Sequence, residues 1–310
     1  MRTRIQKPIF MIGMPRSGTT ILSEAISLHE DLGWFSNYLN LFAQFPWIAI
    51  LDRIADSSTI GRYLRGKKNQ GKGIASFVRR LLPHTDEAYF IWRRCCGEKF
   101  LLDYLIGQTA TDEEARSIAK YVQMTLRCQR KKRFFTKLTG PPRIHYLNSI
   151  FSDAYFIHVI RDPRAVVSSL LEVPFWKEGD GLVRPWWRNG LRNGDIEKWE
   201  ESDRSPVALG AVQWKRVVEM AWEEKNFISP RKYLEIRYEG FVGNPHGILR
   251  EVFERLGLKD SLFSHRYLSL IGRPHNMNYK YRQYLHADEI SLIERITYQT
   301  ARRAGYEFAE

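Results

Sequence analysis

Residues 8–32 read PIFMIGMPRSGTTILSEAISLHEDL, and this stretch decides the fold class. The continuous apolar run over 8–12 is typical of a strand buried on both faces in a parallel sheet. After a glycine-containing turn, apolar side chains recur with helical spacing from Ile21 onward. A strand, a tight loop and a helix in this order place backbone N–H groups and the positive helix end around an anion.

The loop differs from the phosphate loop of nucleoside triphosphatases in one informative position. Gly13 and Gly18 match the glycines of GxxxxGK[ST], but Thr19 stands where that motif has its lysine. Arg16 lies inside the loop and offers a planar fork of donors suited to phosphate or sulfate. The hydroxyl groups of Ser17, Thr19 and Thr20 add further donors. The loop therefore predicts an anion site for a group other than a magnesium-bound triphosphate.

The rest of the chain alternates strand and helix patterns, which indicates an α/β class with a central parallel sheet and helices on both faces. Further strands are predicted over 134–138, 155–160 and 233–238. Helices are predicted after the capping box that begins at Thr111, after Pro163, over 211–227, after Asn244–Pro245 and over 288–304. With no repeat and no clear linker, we predict one three-layer domain over 1–310.

Composition and charge limit the possible partners and the compartment. The 310 residues carry a net charge of +13, which favours anionic partners without choosing among them. Three cysteines without framework spacing argue against a disulfide-stapled secreted domain, and we expect Cys95 and Cys96 to be buried. The basic stretch over 60–82 is expected to be solvated surface. No stretch is apolar enough to span a membrane, so we expect a cytoplasmic protein and leave peripheral membrane contact open.

A second candidate site follows the strand at 155–160. Arg161 lies at the carboxyl end of that strand, where open α/β sheets bind ligands, and Ser169 lies eight residues further on. An arginine and a hydroxyl so placed could hold a second phosphate. The alternative is that Arg161 forms an ordinary ion pair with Asp162 or Glu172.

Together, PIFMIGMPRSGTT and IHVIRDPRAVVSS, residues 157–169, resemble the sulfotransferases that use 3′-phosphoadenosine 5′-phosphosulfate (PAPS). The segment FTKL and the segment YLEIRYEGFVGNPHGILREVFERLGL are also similar to that family. The resemblance implies that the first motif binds the 5′-phosphosulfate and that Arg161 and Ser169 bind the 3′-phosphate. The residues of the first motif are Pro15, Arg16, Ser17, Gly18, Thr19 and Thr20.

The resemblance also implies the reaction and further residues. It implies in-line transfer of a sulfuryl group to a hydroxyl of a carbohydrate, lipid or small-metabolite acceptor, with PAP as product and no metal. Arg16 and Lys137 would neutralise charge on the leaving oxygen, as in phosphoryl transfer. Tyr238 would contact the adenine, and Lys280 or Arg282 could add a cation near the 3′-phosphate.

The expected general base is missing from both of its usual places. Some relatives have a glutamate about twenty residues beyond the loop arginine, but residues 33–38 contain no carboxylate. Others have a histidine two residues after the lysine, where this chain has Thr139. The substitutes left open are Glu24, His29, Asp31, His145, Glu172 and Asp180. A base could also be unnecessary if the acceptor were already ionised or if Ser36 and Asn37 only oriented it.

The tryptophan-rich segment over 173–206 is predicted to be a long loop or lid on the acceptor side. Trp176, Trp186, Trp187 and Trp199 could line an acceptor groove or simply anchor the loop. Two other functions stay open: a P-loop kinase or nucleoside triphosphatase, and a non-catalytic basic binder of nucleic acid or acidic glycan. For the sulfotransferase, no nucleic-acid partner is expected; its acceptor and its oligomeric state are left undetermined.

Overall fold

The computed structural model describes residues 5–53, 82–178, 180–272 and 274–308. These residues contain one sheet of five parallel strands in the order β2-β3-β1-β4-β5. The strands are β1 (Ile9–Gly13), β2 (Leu32–Gly33), β3 (Arg133–Thr139), β4 (Tyr155–Ile160) and β5 (Tyr233–Arg237). Because all five run in parallel, their carboxyl ends meet at one edge of the sheet.

Helices cover both faces of this sheet, so the predicted α/β three-layer architecture is confirmed. The helices are α1 (Thr19–Ser27), α2 (Asn37–Leu41), α3 (Tyr89–Cys96), α4 (Lys99–Leu102), α5 (Asp112–Gln129), α6 (Ile144–Ile150), α7 (Pro163–Leu171), α8 (Pro174–Glu178), α9 (Asn193–Glu200), α10 (Pro206–Glu224), α11 (Tyr238–Gly243), α12 (Pro245–Leu256), α13 (Leu262–Ile271), α14 (Tyr281–Tyr284) and α15 (Ala287–Arg303). Short 3₁₀ helices lie at Pro46–Leu51, Lys225–Phe227, Pro230–Lys232 and Asn278–Lys280.

The central strand shows why the sheet has helices on both faces. Phe10 and Ile12 pack into one apolar cluster with α3, α5 and α6, whereas Ile9 and Met11 pack into another with α1, α12 and α13. All four side chains are fully buried. Successive strand side chains point to opposite faces, so a continuous apolar run requires a cover on each side. Cys95 and Cys96 lie in the first cluster, as expected.

Local sequence signals set several of the helix starts. The Thr111 hydroxyl accepts from the Glu114 N–H while the Glu114 carboxylate accepts from the Thr111 N–H, which is the predicted capping box. The Asn244 side chain accepts from the Gly247 N–H, with Pro245 in the first turn of α12.

Other boundaries differ from the sequence prediction. The segment over 173–206 is not one long loop, because it contains α8 and α9. Helix α10 begins five residues earlier than predicted, since Ser205 caps it and Pro206 occupies its first turn. Residues 60–81 of the predicted basic surface lie outside the described residues.

Candidate active site

The loop between β1 and α1 is shaped by two close backbone approaches. A Cβ atom on Gly13 would lie 2.5 Å from the carbonyl oxygen of Val159 on β4. Gly18 caps α1 in the left-handed region, with φ 79°. Between them, the Ser17 N–H donates to the Met14 carbonyl at 3.1 Å. The glycines therefore allow the loop to pass close to its neighbours before the helix begins.

The Ser17 hydroxyl is fully buried beside the start of α1 and has no hydrogen-bond partner among the described residues. Thr19 is buried as the first residue of α1, whereas Arg16 and Thr20 are exposed. An unsatisfied buried hydroxyl is costly unless a ligand pairs with it. At a helix N-terminus, an anion is the ligand that suits it.

The structure brings the two predicted motifs together at the carboxyl edge of β1 and β4. The Arg16 Nε donates to the Ser169 Oγ at 2.9 Å, and the Arg161 Nη1 donates to the Arg16 carbonyl at 2.9 Å. The Arg161 Nε donates to the Asn278 Oδ1 at 2.8 Å. Burial lowers the pKa of the Arg161 guanidinium, and the nearby Arg16 charge acts in the same direction. Two cations in this position create a strong local preference for an anion.

Tyr238 packs against both Arg161 and the loop before α1. The Arg161 guanidinium lies 4.5 Å from the centre of the Tyr238 ring, a cation–π contact. The ring also lies over Gly18, where a Cβ atom would come within 2.2 Å of its Cδ2. The Tyr238 hydroxyl donates to the His275 carbonyl at 3.2 Å. Tyr238 therefore connects Arg161 to the loop between β1 and α1, residues 14–18, which we call the anion loop.

The alternative ion pairs predicted for Arg161 are not formed. Asp162 is engaged by Arg164, whose Nη2 lies 2.7 Å from the Asp162 Oδ2, and Glu172 pairs with Lys177. Arg164 also reaches Glu294. The Arg161 guanidinium is thus held by an amide, a backbone carbonyl and an aromatic face, and it forms no direct ion pair with any of the described residues.

Asn278 and Glu239, which the sequence analysis did not single out, orient the Arg161 guanidinium. Asn278 donates through its Nδ2 to the Glu239 Oε1 at 2.6 Å, which fixes its oxygen toward Arg161. Glu239 also accepts from the Tyr306 hydroxyl at 2.8 Å. Lys280 ends the same short 3₁₀ helix as Asn278 and is half-buried. Its role toward a 3′-phosphate stays a prediction.

Lys137 projects from β3 into a cavity of about 520 Å³ beside the anion loop. The Lys137 Nζ lies 3.0 Å from the Glu87 Oε1, an ion pair in which both side chains are about four-fifths buried. Pro15 of the loop also lines this cavity. The predicted cation therefore lies between the anion loop and a pocket large enough for a small acceptor.

Glu87 is the functional candidate that sequence reasoning missed. Its Oε2 accepts from the Thr139 N–H at 3.1 Å and from the Thr139 hydroxyl at 2.8 Å. Burial alone would raise the pKa of Glu87, but the Lys137 charge and hydrogen bonds from neighbouring hydroxyl groups lower it. The carboxylate is therefore ionised at neutral pH and faces the cavity.

The six candidate bases named from the sequence lie elsewhere. None of them is among the residues that line this cavity: Glu24, His29, Asp31, His145, Glu172 and Asp180. The Glu24 carboxylate accepts from the Tyr267 hydroxyl, and the His29 Nε2 lies 2.9 Å from the Lys259 carbonyl. These contacts give Glu24 and His29 structural roles in the described part of the chain.

The tryptophans of the predicted lid divide between the two expected roles. Trp176 and Trp199 are buried and anchor the segment in the core. Trp186 and Trp187 line the cavity, and the Trp186 ring stacks on Trp176 with centroids 5.6 Å apart. The Trp187 ring lies over Gly140, where a Cβ atom would come within 2.5 Å of it. The cavity wall is thus aromatic and held from behind.

The described residues contain no group of three or more His, Cys, Asp or Glu residues placed to hold a metal ion. They also contain no helix that is long and apolar enough to cross a membrane.

Comparison with known proteins identifies similar chains. Residues 8–261 match the model described as "Sulfotransferase family". An omega-hydroxy-beta-dihydromenaquinone-9 sulfotransferase from Mycobacterium bovis is 25% identical in an alignment of 277 residues that covers 82% of this chain and 63% of that protein. The counterpart from Mycobacterium tuberculosis gives the same values. This chain thus spans less than two-thirds of the length of these curated relatives.

Solved structures share the fold at low identity. A sulfotransferase from Mycobacterium avium superposes with a TM-score of 0.62 at 16% identity, covering 98% of this chain and 78% of that one. A sulfotransferase from Mycobacterium tuberculosis gives a TM-score of 0.57 at 16% identity, covering 97% and 78%.

Proposed function

The chain belongs to the sulfotransferase family, and we propose that it transfers the sulfuryl group of PAPS to a hydroxyl group. The observation that carries this proposal is the meeting of Arg16, Ser169 and Arg161 around the loop before α1. A loop with one helix N-terminus and a separate arginine suits a donor with phosphates at two positions of a nucleoside.

The residues present fit such a donor. The unpartnered Ser17 hydroxyl and the N–H groups at the start of α1 would bind the 5′-phosphosulfate, with Pro15, Gly18, Thr19 and Thr20 shaping the loop. Arg161 and Ser169 would bind the 3′-phosphate, Tyr238 would contact the adenine, and Lys280 would add a cation beside them. When bound, PAPS supplies the sulfuryl group, and PAP leaves.

Arg16 and Lys137 would stabilise the charge that develops on the leaving oxygen. Both reach the carboxyl edge of the central strands, Arg16 from the loop after β1 and Lys137 from β3. Fixed cations at that position act in the transition state without reorganising, which is the largest usual contribution to such transfers. The proposal assigns no metal to the reaction.

We propose a lipid or another apolar small metabolite as the acceptor. The cavity beside Lys137 has an aromatic and aliphatic wall that includes Tyr89, Leu101, Trp186 and Trp187. Polar side chains, among them Glu87, Lys137 and Thr139, line the rest of the cavity, and an aromatic wall joined to such groups is typical of sites for small molecules. The named relatives, whose acceptor is a hydroxylated dihydromenaquinone, support this class. A carbohydrate could also stack on the same aromatic rings.

Thermal stabilisation by PAP, compared with ATP–magnesium, tests the nucleotide assignment. A ligand at about 100 times its Kd adds roughly 2.7 kcal/mol to the free energy of unfolding. For a chain of this size, that raises the melting temperature by roughly 5 °C. We expect a shift with PAP and none with ATP–magnesium. A shift with ATP–magnesium alone would favour the kinase alternative and refute this assignment.

Arg161→Ala tests the 3′-phosphate site, with Arg164→Ala as its matched control. A charge-assisted hydrogen bond is worth about 1.5–3 kcal/mol, so the Kd for PAP should rise by roughly 10- to 150-fold in Arg161→Ala. Arg164 is engaged by Asp162 and Glu294, so its loss should lower stability and leave PAP affinity nearly unchanged. Equal PAP affinity in the two variants, measured by calorimetry below their melting temperatures, would remove Arg161 from the nucleotide site.

A further inference from the structure

A carboxylate enters the acceptor cavity from a part of the chain distant in sequence from the usual position of the base. Residues 84–86 run antiparallel to residues 35–37, which follow β2. The Asn37 N–H donates to the His84 carbonyl at 3.0 Å, and the Asp86 N–H donates to the Phe35 carbonyl at 2.9 Å. The stretch in which relatives have their glutamate is therefore paired with a second segment, which ends at Glu87.

The residues on either side of Glu87 fix its position. The Asp86 Oδ1 accepts from the Ala88 N–H at 2.7 Å, and Ala88 precedes α3 with a left-handed φ of 57°. Thr139, at the end of β3, donates twice to the Glu87 Oε2. A rigid turn on one side and two hydrogen bonds on the other leave this carboxylate little freedom.

The other oxygen of Glu87 lies beside Lys137. Its Oε1 is 3.0 Å from the Lys137 Nζ, and a carboxylate oxygen can accept a second bond. Lys137 is also our candidate for the leaving oxygen. An acceptor hydroxyl bound in this cavity beside Lys137 would therefore lie within reach of Glu87.

We propose that Glu87 is the general base that removes the proton of the acceptor hydroxyl, an inference that rests on the proposed function. The proton passes to the Glu87 carboxylate as the acceptor oxygen forms its bond to sulfur. The sulfur–oxygen bond to the nucleotide breaks, and its electron pair stays on the 5′-phosphate oxygen of PAP. Lys137 stabilises that charge. The two members of the ion pair therefore have separate roles in one transfer: Glu87 accepts the proton and Lys137 stabilises the leaving oxygen.

Glu87→Gln tests this assignment with two acceptors of different acidity. General-base catalysis contributes about 10²–10⁴-fold, so turnover of an aliphatic alcohol such as geraniol should fall at least 100-fold. 4-Nitrophenol is a far stronger acid than an alcohol and is substantially ionised near neutral pH, so it needs little help and its turnover should fall less than tenfold. PAP affinity, measured by calorimetry, should not weaken, because the substitution removes a negative charge near the nucleotide.

Three further results separate a base from a residue that only positions Lys137. A positioning role predicts equal losses for both acceptors together with weaker PAP binding, and that pattern would overturn the proposal. Glu87→Asp keeps the charge beside Lys137 but shortens its reach, so it should retain PAP affinity and lose turnover of geraniol. Unchanged geraniol turnover in either variant would also overturn it. Failure of the wild-type protein to bind PAP would instead refute the proposed function.

Glu114→Gln is the matched control. Glu114 is as buried as Glu87, and its Oε1 lies 2.7 Å from the Lys99 Nζ, but it lies outside the cavity. Its pKa is also lowered, with burial opposed by bonds from Lys99 and the Thr111 N–H. The control should lose stability while both acceptors keep their wild-type turnover, because Glu114 does not line the cavity and cannot reach the acceptor hydroxyl.

Discussion

Gly18→Ala is the sharpest test of how the anion loop is built. The new Cβ would lie 2.2 Å and 2.4 Å from the Cδ2 and Cε2 of Tyr238, at least 1 Å closer than an ordinary contact of 3.4 Å. Neither the loop nor the ring can absorb this overlap without moving. The φ of 79° adds its own cost, about 1–2 kcal/mol for a residue with a side chain.

Displacement of the Tyr238 ring accounts for most of the remaining loss of stability. Moving Tyr238 breaks its contact with Arg161, worth about 0.5–1 kcal/mol, and its hydrogen bond to the His275 carbonyl, worth about 1 kcal/mol. The free energy of unfolding should therefore fall by about 3 kcal/mol, or roughly 6 °C in melting temperature. PAP affinity should fall as well, since Arg161 loses the ring that supports it.

Urea denaturation of Gly18→Ala in two backgrounds separates the two contributions. In a Tyr238→Ala background the overlap disappears and only the backbone cost of about 1–2 kcal/mol should remain, giving a coupling of about 2 kcal/mol. Equal losses in both backgrounds would show that the ring is not the obstacle and would refute this account of the loop. Gly240→Ala is the control, because its Cβ would enter open space with no left-handed φ. It should be neutral or slightly stabilising.

Two other outcomes follow from the same contacts. Lys137→Ala should lower turnover about 100-fold, close to 3 kcal/mol of transition-state stabilisation, with a much smaller change in the Kd for PAP; an equal loss of affinity would make Lys137 a binding residue only. Glu235 accepts from the indole N–H of Trp222 at 2.6 Å and from the Tyr233 hydroxyl, and it lies beside His158. Burial would raise the pKa of Glu235, but His158, Trp222 and Tyr233 lower it to about 2. Because the folded-state pKa is depressed, this carboxylate stabilises the fold above pH about 4.5, and the contribution is lost as pH falls toward 2. Allowing for its partial exposure, the loss is about 1–2 kcal/mol, and acid titrations of Glu235→Gln should show a stability that varies less between pH 5 and 2 than that of the wild type.

The loop, the sheet and the meeting of Arg16 with Arg161 could be predicted because each depends on short-range pattern. The apolar run of β1 and the glycines of the loop are contiguous in sequence, and parallel strands bring their carboxyl ends to one edge. Arg161 follows one such strand directly. Its position next to the loop therefore follows from topology, without knowledge of any side-chain contact.

Glu87 could not be predicted because its position depends on a pairing without a periodic signal. The strand β2 has two residues, and the segment that pairs beyond it is irregular and about fifty residues away in sequence. Asn278 was missed for a similar reason, since Glu239, 39 residues away in the chain, fixes the direction of its amide. Side chains on irregular segments are placed by tertiary contacts, and their residue types alone give no distance.

The residue at the position of the missing histidine has a function in this arrangement. Thr139 ends β3, gives its N–H and its hydroxyl to Glu87, and accepts from the Tyr89 hydroxyl at 2.7 Å. The next residue, Gly140, donates to the carbonyl of Gly13 in the anion loop at 3.0 Å. The threonine therefore holds the proposed base in position. The position that carries the base in some relatives here holds a carboxylate supplied by another segment, and the same strand end joins that carboxylate to the loop that we propose binds the donor.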